Sequence, residues 1–174
     1  MRIICGTHKG RRLIAPNTLP VRPTSDRAKE AIFNILSNRY LFENKKVLDL
    51  FSGTGNIAYE FKSRGCEEVI AIDKNANCIN YIEKTCDELE LNIKAVKSDC
   101  IKYLKNSKKK YNIIFADPPY KYDKHQELKE IIFEKKLITK DGILIIEHSK
   151  ETTFQSTNIE HRKYGNVHFS IFSF

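Results

Sequence analysis

The sequence predicts an α/β fold built on a mostly parallel sheet with helices packed on its faces. Three observations carry that expectation. From residue 46 onward, short apolar runs alternate with segments of helical periodicity, the order strand–helix–strand–helix. The apolar runs are continuous rather than alternating polar and apolar, as in strands buried on both faces. The rhythm breaks only at the end, where IEHRKY and VHFSIFSF flank Gly165-Asn166, the signature of an antiparallel hairpin closing the sheet.

The elements follow in order. RIIC and RRLI flank GTHKG and read as a short N-terminal hairpin. APNTLPVRPT carries three prolines and reads as an extended connector. SDRAKEAIFNILSN places Ala28, Ala31, Ile32, Ile35 and Leu36 at helical spacing, with Ser25 as N-cap. Strands are expected at 46–51 (KVLDLF), 68–73 (EVIAID), 93–96 (IKAV), 111–117 (YNIIFAD) and 142–147 (GILIIE). Helices are expected in NIAYEFKSRG, ending at Gly65, in NANCINYIEKTCDELE, in a short segment opened by Asp99, and in HQELKEIIFEKKLI (125–138).

A chain of 174 residues suits one compact domain. The division expected is a basic hairpin arm over residues 1–22 and a main domain over 23–174. No apolar run approaches the roughly 20 residues of a membrane span, and the N-terminus lacks a signal-peptide core, so no membrane partner and a cytoplasmic location are expected. The five cysteines form no C-x-x-C pair and read as reduced thiols, Cys78 and Cys86 facing the core. Zinc spacings are absent and no metal is expected. The formal net charge is +8, and residues 1–39 hold eight basic residues against two acidic ones, a net +6. A basic end of this kind suggests a polyanion partner, set against simple solubilising charge. The expected state is a monomer.

In an open α/β sheet, ligands sit outside the carboxyl ends of the strands. Here those ends carry Asp49 with the loop Ser52-Gly53-Thr54-Gly55, then Asp73, Asp99 and Asp117. With Ala58 the glycines satisfy the dinucleotide pattern G-x-G-x-x-G/A, and Asp73 lies where a ribose carboxylate belongs. A pyrophosphate would nevertheless pass close to Asp49, and Asp99 and Asp117 add charge of the same sign, so a nicotinamide cofactor is disfavoured. S-adenosylmethionine suits the set better, having an ammonium, a sulfonium, a ribose diol and no phosphate. Asp49 would meet the ammonium, Gly53 and Gly55 would let the backbone approach, Asp73 would accept from the ribose hydroxyls, and Asp99 from the adenine amine.

The stretch DPPY (117–120) closes the fourth strand. Neither proline has an N–H, so the corner displays acceptors without the usual donors, and Pro119 stiffens Pro118 towards an extended conformation. The Asp117 carboxylate and the Pro118 carbonyl together suit a planar –NH2 with two hydrogens to donate, and Tyr120 offers a face for stacking a base or amide. Gripping both hydrogens would favour pyramidal nitrogen and aim its lone pair at a methyl donor, a catalysis of positioning and charge stabilisation.

These residues resemble a known family. DLFSGTG (49–55) with DPPY looks like a class I S-adenosylmethionine-dependent N-methyltransferase. GTHKGRRL (6–13), RPTSDR (22–27), AKEAIFNIL (28–36) and SRG (63–65) narrow the resemblance to the RsmD family, which methylates the N2 amine of a guanine in bacterial 16S ribosomal RNA. The resemblance covers essentially the whole chain. It implies a Rossmann-like, seven-stranded sheet of order 3-2-1-4-5-7-6 with the last strand antiparallel, and a basic N-terminal extension holding RNA or the small ribosomal subunit. It also implies cofactor roles for Asp49, Gly53, Gly55, Asp73 and Asp99, and target-base roles for Asp117, Pro118 and Tyr120. Lys9, Arg11 and Arg12 are candidates for RNA contact, with Arg22 and Thr24 near the target nucleotide. Two departures from the family are Cys5-Gly6 in place of a Gly-Gly pair and Ile57-Ala-Tyr-Glu-Phe61 in place of Leu-Gly-x-Glu-Ala. The motif alone leaves adenine N6 in RNA or DNA and protein glutamine open as targets, and a non-catalytic RNA-binding assembly factor stands as the alternative class.

Overall fold

The computed structural model describes residues 1–16, 19, 26–154 and 159–174. The expected N-cap Ser25 and the candidates Arg22 and Thr24 lie outside the described residues. The elements are α1 (Asp26–Arg39), β1 (Lys46–Leu50), α2 (Asn56–Ser63), β2 (Glu68–Asp73), α3 (Ala76–Leu89), β3 (Lys94–Lys97), α4 (Cys100–Asn106), β4 (Tyr111–Ala116), α5 (His125–Glu134), β5 (Ile138–His148), β6 (Ile159–Tyr164) and β7 (Val167–Ser173).

The seven strands form one sheet of order β3-β2-β1-β4-β5-β7-β6, as the family resemblance implies. β3, β2, β1, β4 and β5 run parallel, and β7 inserts antiparallel between β5 and β6. The continuous apolar character of the central strands has a direct cause. Val47, Ile113, Phe115 and Ile145 point into one core with Phe33, Phe61 and Ile82 from α1, α2 and α3. Their neighbours Leu48, Leu50, Ile114, Ala116 and Ile146 point into a second core with Leu104, Leu128 and Ile132 from α4 and α5. Both faces are therefore covered, and the buried positions of β1 and β4 are apolar apart from Asp49. Cys78 and Cys86 are buried, as their spacing predicts.

Several boundaries shift by one or two residues, and the one between α5 and β5 moves most. The segment 135–138 does not continue α5. The helix stops at Glu134, Lys136 takes a left-handed φ of 51°, and Leu137 N–H turns back to the Ile132 carbonyl. Ile138 already belongs to β5, paired with Tyr111, and the ladder breaks register before Ile113 meets Ile143. A second apolar residue at helical spacing cannot distinguish the last turn of a helix from the first pair of a buried strand.

The N-terminal hairpin forms with a minimal ladder: Arg2 bridges Arg12, and Ile3 N–H donates to the Arg11 carbonyl at 3.0 Å. It is fastened to α2. Glu60 accepts the Ile4 and Cys5 N–H groups at 2.7 and 3.0 Å, and Ser63 Oγ donates to the Cys5 carbonyl at 2.6 Å. Lys29 of α1, fully buried, donates to the Arg2 carbonyl at 2.6 Å and to Asn56 Oδ1 at 2.7 Å, with Glu60 at 3.7 Å. Gly6 has φ +85°, and a Cβ there would stand 1.8 Å from the Ser63 carbonyl oxygen. Only glycine can occupy that close approach. Of the family's Gly-Gly pair, the member replaced here by Cys5 is exposed, which explains why the departure is tolerated.

Candidate active site

The strand order reverses around β1, which lies between β2 and β4, and the candidate residues gather at the carboxyl ends of these strands. The glycine loop is built from both neighbours. Ser52 N–H donates to the Ile72 carbonyl at 2.9 Å, and Gly55 N–H donates to the Ser52 carbonyl at 2.7 Å, closing a tight turn. Phe51, Gly53 and Gly55 all have positive φ, at 60°, 51° and 79°. A Cβ on Gly55 would meet Tyr59 Cζ at 2.8 Å and Ile82 Cγ1 at 3.0 Å, so helix α2 can start here only behind a glycine.

Asp49 is 1% exposed, and its Oδ2 has no hydrogen-bond partner among the described residues. Burial raises its carboxyl well above the usual range; Asp117 and Asp73 push it the same way, and a backbone hydrogen bond with Ala58 opposes them. A buried acid with an orphaned oxygen among other acids lacks a cation, which is what the ammonium of an amino-acid-bearing cofactor supplies. Asp73 is held at both oxygens: Oδ2 accepts Gly53 N–H and Oδ1 accepts Asn75 N–H, each at 2.8 Å. Each oxygen keeps a second lone pair for a ribose hydroxyl. Asp99 is exposed and caps α4, Oδ1 accepting Lys102 N–H at 2.9 Å. The donor set thus fits a cationic ligand carrying a ribose and fits a pyrophosphate poorly.

Beside this crevice, Asp117 N–H reaches the Leu50 carbonyl at 3.3 Å and ties the acidic corner to β1. Pro118 is buried, and Tyr120 is 83% exposed. The loop turns at once, because Tyr122 N–H donates to the Pro119 carbonyl at 2.8 Å. That turn returns Tyr122 edge-on against Phe51, ring centroids 5.0 Å apart, and against His125 at 5.2 Å. The glycine loop and the DPPY corner therefore share a packed aromatic base.

Three groups went unread in the sequence. Glu147 stands one residue before the end of β5, one strand beyond Asp117, and the rule that located the other acids points to it equally. Lys29 sits three, four and seven residues before Ile32, Phe33 and Leu36, on the core face of α1, so its burial was visible in the period. Its partner Glu60 carries no comparable signal, since α2 is buried around nearly its whole circumference. Lys9, Arg11 and Arg12 are exposed on the hairpin, at a distance in sequence from the acidic edge.

A family model described as Conserved hypothetical protein 95 matches residues 1–173. Ribosomal RNA small subunit methyltransferase D of Buchnera aphidicola subsp. Baizongia pistaciae is 27% identical over 179 residues, covering 99% of this chain and 91% of that one. The chain belongs to the RsmD family. Among RsmD-like relatives, YlbH of Bacillus subtilis, provisionally named an rRNA methyltransferase, is 35% identical over 162 residues, covering 90% of this chain and 87% of that protein. A solved structure of yhhF from Escherichia coli, provisionally named a methyltransferase, superposes with a TM-score of 0.85 at 26% identity, covering 99% of this chain and 97% of that one. The RsmD-family chain has the Rossmann-like class I methyltransferase fold, with its strand order and its antiparallel insertion.

Proposed function

We propose that this protein transfers a methyl group from S-adenosylmethionine to the exocyclic N2 amine of a guanine in small-subunit (16S) ribosomal RNA. The observation that carries the reading is the adjacency of two complementary features: an acceptor-only corner at Asp117-Pro118 and the buried, orphaned carboxyl of Asp49 on the strand beside it. S-adenosylmethionine, when bound, supplies an electrophilic methyl group. Asp49 holds its ammonium, Asp73 its ribose and Asp99 its adenine amine, while Gly53 and Gly55 leave room for the backbone to approach.

Asp117 and the Pro118 carbonyl accept the two hydrogens of the target amine and turn its lone pair outward. Tyr120, exposed on the lip, stacks on the base. Asp117 receives the proton released as the new C–N bond forms, which needs no strong base because the alkylated amine is acidic. Lys9, Arg11 and Arg12 hold the phosphate backbone, with the arm fastened at a set angle to the site by Glu60 and Lys29. The names of the curated relatives support ribosomal RNA as the substrate. The reading takes the enzyme to act in the cytoplasm as a monomer.

The test is labelled methyl transfer to under-methylated small subunits, followed by nucleoside mass spectrometry. N2-methylguanosine is expected. N6-methyladenosine would replace the substrate, and absence of any incorporation would leave an RNA-binding assembly factor instead of an enzyme.

A further inference from the structure

We propose that Glu147 is a specificity-determining residue of the target-base site, its carboxyl pairing with the N1–H and O6 edge of guanine beside the amine that Asp117 grips. The inference rests on the proposed guanine-N2 activity and deepens it.

The placement comes from the ladder. Ala116 pairs with Ile146, so the next residues, Asp117 just past β4 and Glu147 one before the end of β5, follow on adjacent parallel strands. Neighbouring strands lie about 4.8 Å apart, close to the span between groups on one edge of a base. Glu147 is half-buried, and its Oε2 is buried with no hydrogen-bond partner among the described residues. A buried oxygen of this kind is costly unless something comes to pair with it. Among the described residues, none of the neighbouring strand positions offers a lysine or arginine. From β4 it faces Asp117; from β7 the residue opposite is the apolar Phe169. The next residue on its own strand, His148, is engaged by the Ser149 carbonyl and Ser170 Oγ at 2.7 and 2.8 Å, with His168 opposite. Asp49 lies one strand beyond Asp117.

Burial first, and Asp117 second, push the Glu147 carboxyl up to about 8. At neutral pH Glu147 therefore keeps its proton. A neutral carboxyl presents an acceptor C=O and a donor O–H side by side. Guanine held by its N2 amine presents N1–H and then O6 at the next positions, a donor followed by an acceptor. The two edges match at both points. Adenine held by its N6 amine presents an unprotonated N1 and then a C–H, and can meet only the O–H. Glu147 thus separates guanine from adenine, which the DPPY motif cannot do.

The experiment compares wild type, Glu147→Gln and Glu147→Leu in methyl transfer to under-methylated small subunits. Steady-state rates are followed from pH 6 to 9, products are identified by nucleoside mass spectrometry, and S-adenosylmethionine affinity is measured separately for each protein. Gln keeps the C=O and an N–H donor, so it is expected to retain kcat/KM near wild type. It should also abolish the decline that wild type shows as pH rises through about 8. Leu removes both contacts and is expected to lose roughly 5- to 150-fold in kcat/KM, the worth of one bidentate base contact, with cofactor affinity unchanged. Three equal enzymes, or a Gln variant as poor as the Leu variant, would overturn the assignment while leaving the guanine reading intact. A wild-type product other than N2-methylguanosine would overturn both.

Discussion

Asp49→Asn is expected to stabilise the ligand-free protein while weakening cofactor binding. In the folded chain this carboxyl is 1% exposed, its Oδ2 lacks a partner, and Asp117 and Asp73 lie close enough to repel its charge. Asn keeps the shape and removes the charge. Relief of a functional-site liability is commonly worth about 0.5–2 kcal/mol. For a chain of this size, that is a rise of roughly 1–8 °C in melting temperature. The sign with pH follows from the raised carboxyl. Asp49 binds its proton more tightly folded than unfolded, so its contribution is favourable below the ordinary value of 3.8 and is lost as pH rises through the folded value. The advantage of Asn should be absent at acid pH and grow towards neutrality. Cofactor binding moves the other way, because a charge-assisted hydrogen bond to the ammonium is worth about 1.5–3 kcal/mol, roughly 10- to 150-fold in Kd. Ligand at 100 times the wild-type Kd stabilises by about 2.7 kcal/mol, or roughly 5–11 °C. A variant binding about 100-fold more weakly would gain only about 0.4 kcal/mol, near 1 °C. Thermal scans with and without S-adenosylmethionine at several pH values read both effects. A less stable ligand-free variant, or one whose cofactor-induced shift equals wild type, would refute the role given to Asp49.

Gly6→Ala drives a Cβ to 1.8 Å from the Ser63 carbonyl at a φ of +85° and should lift the hairpin off α2. It should lose about 1–3 kcal/mol of stability together with RNA affinity, with cofactor affinity kept; wild-type melting would show the contact to be soft. Charge reversal at the exposed Arg11 and Arg12 should weaken RNA binding and flatten its dependence on salt by roughly 1.4–1.8 in the log–log slope. An unchanged slope would remove the arm from the RNA interface. Asp117→Ala should bind cofactor normally and lose at least about 10²-fold in transfer rate, and a rate near wild type would end its catalytic assignment.

The parallel core was legible because both faces of the sheet are covered, which makes the buried positions of β1 and β4 apolar except at Asp49 and removes ambiguity about strand type. The boundary between α5 and β5 was not legible. Lys136 leaves the helix through a left-handed φ without a glycine to announce it, and Ile138 fits both periods. The site divided along similar lines. Asp117 directly follows an apolar strand, Asp73 ends one, and Asp49 stands one residue before the end of another, so the position of each reports its place at the ligand edge. Glu147 obeys the same rule but no turn motif follows it, and its significance depends on which strand lies beside β5. Only the pairing of Ala116 with Ile146 puts it next to Asp117.

Lys29 and Glu60 show what a sequence pattern hides even when the period reveals burial. A cation at a core position of α1 reads as a defect unless its partners are known. Burial pulls the Lys29 ammonium below its ordinary range while Glu60 opposes that shift, so the pair carries a desolvation penalty that packing alone would avoid. The contacts explain why the charge is there. The ammonium reaches the Arg2 carbonyl of the arm and the Asn56 side chain, the first residue of α2 after the glycine loop. Thr54 of that loop in turn lies against Met1, its Oγ1 donating to Sδ at 3.4 Å. Glu60 holds the Ile4 and Cys5 N–H groups of the same arm. A leucine at position 29 could fill the volume, but it would strand the Arg2 carbonyl and leave Glu60 without its ammonium. An apolar contact also slides, whereas these bonds tie one strand of the hairpin to one turn of α2. The buried pair therefore fixes the angle between the arm, which presents Lys9, Arg11 and Arg12, and the loop behind which the acids gather. On the proposed function, a nucleic acid held by the arm would meet the DPPY corner in one orientation because that angle is fastened by these bonds.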